Sequence, residues 1–203
     1  MTDESHEAGV GRGRPPRADA RRNLDAVLRA AMAAFGELGV DAPMREIAER
    51  AGVGVGTVYR HFPHRSDLIR AIIRREVAAC VEAAGTLSAS HPPGEALAEW
   101  MQQCLVDLVA TKRGLGAALH SGDPAYQSLP DYVLGQLTPA LRALLDAATE
   151  AGVVRARVDA DELLLAAMRL ATPASEGDIA QARRMVALLV RGLSHAGMDP
   201  EDG

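Results

Sequence analysis

The stretch Val55-Gly56-Thr57-Val58-Tyr59-Arg60-His61-Phe62 carries polar side chains at a spacing that only a helix would sort. Stepping about 100° per residue from Val55 brings Val58 and Phe62 close to Val55. The same stepping sends Gly56, Thr57, Arg60 and His61 to the opposite half, with Tyr59 at the edge. A donor-rich face backed by an apolar one suits a helix lying in a DNA major groove. Arginine can read base edges, threonine and tyrosine hydroxyls reach phosphates, and a residue without a side chain permits close approach. His61 can donate to a phosphate, and protonation would add charge assistance. Arg45 opens the preceding element and Arg65 the following one, so both can flank the same surface. No Gly-rich phosphate loop, Gly-x-Ser-x-Gly or His-Glu-x-x-His occurs. Neither an enzyme nor a cofactor is expected. The close pair His61 and His64 reads better as phosphate contact than as a metal site.

The surrounding pattern supplies a scaffold for that face. A first helix is predicted from a cap at Asp19, with Leu24, Val27, Leu28, Ala31, Phe35 and Leu38 on one side, ending at Gly39. Pro43 fits the first turn of a short second helix that ends at Gly52. A tight connection then leads to the third helix, which Pro63 ends. This is the helix-turn-helix pattern. A fourth helix begins near Arg65, with Asp67 placed favourably in its first turn. It is expected to fade into the turn-rich residues 85–94. Further helices follow: one carrying Leu97 to Leu108, a short one at Leu115 to His120, and one from Val133 to Thr149 kinked or restarted at Pro139. Two more run from about Asp159 to Thr172 and from about Asp178 to His195.

The composition fits that reading. The chain has 203 residues, 48% hydrophobic but only 3% aromatic, which disfavours a sandwich or barrel. Cys80 and Cys104 are too few for a disulfide framework or a zinc site and read as buried thiols. The net charge of -5 argues against indiscriminate coating of nucleic acid, yet the charge is uneven. Residues 10–75 hold 13 Arg against 7 acids, and residues 88–203 hold 9 basic against 15 acidic residues. One end faces a polyanion and the other does something else. No apolar run approaches a membrane span and no secretion signal is visible at the N-terminus, so a cytoplasmic protein, nucleoid-associated when bound to DNA, is expected. Residues 1–17, with Arg14 and Arg17, read as a flexible basic arm able to reach along DNA.

Residues 43–68, PMREIAERAGVGVGTVYRHFPHRSDL, resemble the signature of the tetracycline-repressor (TetR) family of bacterial transcription regulators. The similarity spans Asp19 to Leu68, about a quarter of the chain. The stretch ATKRGLGAAL, Ala110 to Leu119, looks like segments of actinobacterial members. The resemblance implies an all-α fold of about nine helices. A three-helix DNA-binding domain (18–66) would precede a larger effector-binding and dimerisation domain (67–203). By position, Thr57, Tyr59 and His61 match phosphate-contacting residues, Val55 and Gly56 match variable positions near bases, and Arg45 matches a base contact of some members. For Val55 this conflicts with the angular reading. Arg60 is exposed and reads as a base or backbone contact. Arg65 stands where the family usually has a phosphate-binding Lys. Gly54 replaces a frequent Ser, which removes a side-chain cap from the third helix.

The family builds its effector pocket from the middle helices. Trp100, Met101, Cys104, His120, Tyr126, Tyr132 and Met168 are the polarizable or amphipathic candidates for it, although Met101 and Cys104 also suit a plain core. The last two helices are apolar over long faces, so packing with their two-fold mates would give a four-helix interface rimmed by Arg183 and Arg184. The same faces could instead only close the monomer core. Together these features predict a homodimeric repressor on a palindromic operator, released by a small-molecule effector. A ligand-independent activator or architectural DNA binder shares every DNA-side residue. A helical docking module or enzyme with a vestigial helix-turn-helix is the more distant alternative.

Overall fold

A computed structural model describes residues 16–110, 115, 122–172 and 178–194. Among them the chain is helical, without strands. α1 (Pro16–Leu38), α2 (Met44–Ala51) and α3 (Val55–His61) form the N-terminal unit, and α4 (Arg65–Ser90) leaves it. Next come α5 (Pro93–Glu99), a π-helical turn (Trp100–Leu105) and α6 (Val106–Ala110). A 3-10 turn (Pro124–Tyr126) precedes α7 (Leu129–Glu150), α8 (Ala160–Ala171) and α9 (Ile179–Gly192).

α1 begins at Pro16, a residue suited to a first helical turn. The backbone of Arg17 therefore belongs to this helix rather than to the arm, and Asp19 pairs with Arg22 inside the helix instead of capping it. Pro43 likewise stands just before α2 as its N-cap. Gly39 and Gly52 stop α1 and α2 with φ of 79° and 68°, a conformation that costs glycine nothing.

α4 overrides the turn-like composition of residues 85–90. Ala84 and Leu87 are buried there, and Thr86 and Ser90 donate their hydroxyls to Glu82 and Thr86 carbonyls at 3.2 and 2.7 Å. α7 starts at Leu129, with Pro130 in its first turn, and continues through Pro139 as one helix. An interior proline costs about 3 kcal/mol. Burial of Leu129, Val133, Leu137, Leu141, Leu144 and Leu145, each side chain contributing about 1.5–3 kcal/mol, outweighs it. Of the helix predicted at 115–120, only Leu115 lies within the described residues, and it is buried.

α7 packs on α4 and α5, and α9 packs on α8, α6 and the π turn. Trp100 is fully buried, and its indole N–H donates to the Cys80 carbonyl of α4 at 2.8 Å. Arg183 of α9 reaches Asp107 of α6 at 2.7 Å, so it ties these two helices together. No described helix is long and apolar enough to cross a membrane.

Candidate nucleic-acid interface

α3 is a seven-residue helix seated on α2. Val58 and Phe62 are buried in the same core as Ile47 and Ala48 of α2 and Ala34 and Phe35 of α1. The opposite side turns Gly56, Arg60 and His61 to solvent, with Thr57 half-buried and Tyr59 50% exposed. No side chain caps α3, and the Gly54 carbonyl accepts from Thr57 N–H at 2.8 Å. A Cβ at Gly56 would meet nothing within 4 Å, so packing inside the protein does not require glycine there.

Val55 departs from the angular reading. It is 42% exposed, because as the first residue of a short helix it stands past the supporting side chains. Val55 is thus open to solvent, as are Gly56, Arg60 and His61. Arg45 is exposed at the start of α2. Arg50 fastens α2 to α1 through Glu37 at 2.8 Å and pairs with Glu46 of its own helix, also at 2.8 Å. The hydrogen bonds to Glu46 and Glu37 push its pKa up.

Arg65 makes contacts inside the protein as well. Its Nη1 donates to the carbonyls of Val40 at 2.6 Å and Ala42 at 2.5 Å. This nitrogen closes the α1–α2 connection, leaving only the remaining N–H groups for a phosphate. Arg14 and the side chain of Arg17 lie outside the described residues.

A bridge that the sequence did not disclose sits beside this face. Asp67 accepts from the His64 N–H at 3.0 Å and from Arg70 Nη2 at 2.7 Å. Arg70 and then His64 hold the Asp67 carboxyl below its ordinary pKa. The i,i+3 spacing of Asp67 and Arg70 was the available signal. One turn further along α4, Arg74 stands over the Tyr132 ring at 5.6 Å.

Six of the seven pocket candidates lie among the described residues. Trp100 and Met101 are fully buried in the core. Cys104 is half-buried, unlike the buried Cys80, and burial together with Asp107 and Glu99 pushes its thiol pKa up. Tyr126 and Tyr132 are partly buried against the core near α4, and Met168 is half-buried on α8. His120 lies outside the described residues. Among the described residues, open grooves flank α7 and are lined by other residues. One of about 520 Å³ involves Leu134, Thr138, Arg142 and Asp161. A second of about 460 Å³ runs between α4 and α7, and a third of about 630 Å³ lies at the α7–α8 connection.

Residues 27–72 match the tetR family of bacterial regulatory proteins, and residues 92–195 match the C-terminal domain of SbtR-like transcriptional regulators. A TetR transcriptional regulator from Streptomyces coelicolor shares 38% identity, with 84% of this chain and 97% of that one covered and a TM-score of 0.70. A TetR transcription regulatory protein from Mycobacterium vanbaalenii is also 38% identical. It covers 88% of this chain and 99% of its own, at a TM-score of 0.70. HTH-type transcriptional regulators of Staphylococcus aureus are 40% identical over 62 residues, 30% of this chain and 34% of theirs. The chain thus spans about a third of the length of the curated relatives it matches.

Proposed function

Because the chain belongs to the TetR family of bacterial DNA-binding transcriptional regulators, regulators rather than enzymes, we propose that it is a homodimeric repressor released by a small-molecule effector. The observation that carries the DNA side is α3, whose exposed Gly56, Tyr59, Arg60 and His61 stand on buried Val58 and Phe62. Glycine inside a helix costs about 0.5–1 kcal/mol. The protein's own packing does not call for it at Gly56, whereas close approach to a base pair does.

Thr57, Tyr59 and His61 contact phosphates in this reading, while Val55, Gly56 and Arg45 face bases. Arg60 serves either purpose, and Arg14 and Arg17 add contacts along the backbone. The dimer forms through α8 and α9, which leave Leu165, Leu170 and Leu188 exposed. Leu188 keeps 57% of its surface in the single subunit, and a helical mate would cover that apolar area. Two recognition helices then occupy successive major grooves, about 34–36 Å apart, on a near-palindromic operator in the bacterial cytoplasm. The larger domain takes the effector, which shifts the population only through different affinity for the two states. A division of the chain at residues 17 and 66 accompanies this reading, with α4 running out of the first unit into the second.

Selection of genomic fragments on the purified protein at moderate salt, followed by sequencing, tests it. A near-palindromic site is expected. Absence of enrichment both as purified and after the protein has been unfolded, stripped of small molecules and refolded would overturn it.

A further inference from the structure

α7 carries three features that cost stability, all within about one turn of each other. Pro139 stands inside the helix. Having no N–H, it leaves the Gly135 carbonyl without the donor that position 139 normally supplies. Gly135 itself weakens a helix interior, and a Cβ there would meet nothing within 4 Å, so packing does not call for glycine. Thr138 between them is 7% exposed, and its hydroxyl has no partner. Thr86, Thr149 and Thr172 each donate to the carbonyl four residues back, a common relief for a threonine in a helix. Thr138 makes no such bond. A buried polar group left unpaired is costly, and native structures hold few of them.

All three residues line the same open groove, of about 520 Å³. Leu134, Pro139 and Ala143 give it an apolar wall, and Arg142, Asp146 and Asp161 bring its charges. Arg142 is already engaged, 3.3 Å from Asp161 of α8. Asp146 makes no ion pair or hydrogen bond among the described residues. What the groove offers is therefore a set of acceptors: the Gly135 carbonyl, the Asp146 carboxylate and the Thr138 hydroxyl, which can accept as well as donate. The hydroxyl reaches a guest by rotation about χ1, with no bond to break. An anion would meet these acceptors with its own. An ammonium or guanidinium would satisfy them, while an apolar body attached to it covers Leu134 and Ala143. A groove of this volume is within the range of small-molecule sites.

We propose that this groove of α7 binds a small organic cation, an ammonium or guanidinium on an apolar body, with Asp146 as its counter-ion and Thr138 and the Gly135 carbonyl as its acceptors. This deepens the effector reading above and rests on it. The site is distinct from the core that holds the fully buried Trp100 and Met101.

A methyl-resolved NMR titration of the full chain with phenethylamine tests this, with phenethyl alcohol and phenylpropionate as neutral and anionic counterparts. The Leu134 methyls should shift with the amine, with a Kd of about 1 mM, and stay in place with the other two. Asp146→Asn should weaken binding about fivefold. Glu150→Gln, which removes an exposed carboxylate beyond the groove on the same helix, should leave it unchanged. Thr138→Val and Pro139→Ala should each weaken binding about threefold while melting no lower than wild type, since each also removes one of the costs. The proposal is overturned if the alcohol or the acid binds as well as the amine, if D146N binds like wild type, or if T138V and P139A melt earlier with affinity unaltered. Shifts confined to core methyls such as those of Leu97 and Leu105 would overturn this site and leave the effector reading standing. Movement of the Leu134 methyls on dilution of the protein alone would mean that a second copy covers the groove, and would overturn it too. The site stands or falls on these shifts, and the effector reading is tested separately by operator affinity with and without the amine.

Discussion

Replacing Arg65 by Met separates an internal brace from a phosphate contact. Methionine keeps much of the stem and removes every donor. In the folded chain Arg65 Nη1 serves two carbonyls, at 2.6 and 2.5 Å, and Ala42 is buried. Hydrogen bonds to charged groups contribute about 1.5–3 kcal/mol each. Here one nitrogen is shared between two acceptors and the site is only part-buried, so the loss should be about 1–3 kcal/mol in all. In a chain of this size that lowers the melting temperature by roughly 2–4 °C per kcal/mol. Binding to the operator should weaken, while its salt dependence should hold. A phosphate contact contributes about 0.9 to the slope of log K against log salt, hence about 1.8 for two subunits. Thermal unfolding and binding titrations over a range of salt read both effects. A slope reduced by about 1.8 with unaltered stability would refute the brace and return Arg65 to the DNA.

Tyr59→Phe and His61→Ala should weaken binding to cognate and scrambled duplexes alike, whereas Arg45→Ala should cost about 1–3 kcal/mol on the cognate site only. Gel-shift titrations on both duplexes distinguish the patterns. Leu188→Arg sets a charge on the most exposed leucine of α9 and should shift sedimentation from dimer to monomer; an unmoved dimer would place the interface elsewhere. Asp67→Asn bears on acid stability. The folded pKa of Asp67 is lowered, so its contribution is present above the ordinary carboxylate pKa of about 3.9 and lost as pH falls through the folded value. The stability gap between wild type and D67N should therefore shrink as pH drops from 7 to 3, and a constant gap in urea midpoints would contradict it.

Periodicity alone located the supported side of α3, since Val58 and Phe62 recur at the interval that buries a helix. It misjudged Val55, because angular arithmetic treats a helix as endless while a seven-residue helix is mostly ends. It also ended the fourth helix too early. Gly85, Thr86 and Ser88 weigh toward a turn, and only tertiary burial of Ala84 and Leu87 reverses that. The engagement of Arg65 was invisible for a related reason: its acceptors are backbone carbonyls 25 and 23 residues earlier, and backbone carbonyls carry no sequence signature. Amphipathic residue types do not announce their partners either: Tyr132 lies under Arg74 of α4, and Tyr126 feels the charges of Arg65 and Arg70.

The length of α4 has a consequence for scale. Its 26 residues, at about 1.5 Å each, make a rod about 39 Å long. A tilt of about 5° about its far end carries its N-terminus, with α3 attached, through about 3.4 Å. That displacement equals the rise between neighbouring bases along a strand, about 3.4 Å. A tilt of about 5° is therefore enough to bring the recognition helix one base pair out of step with its site.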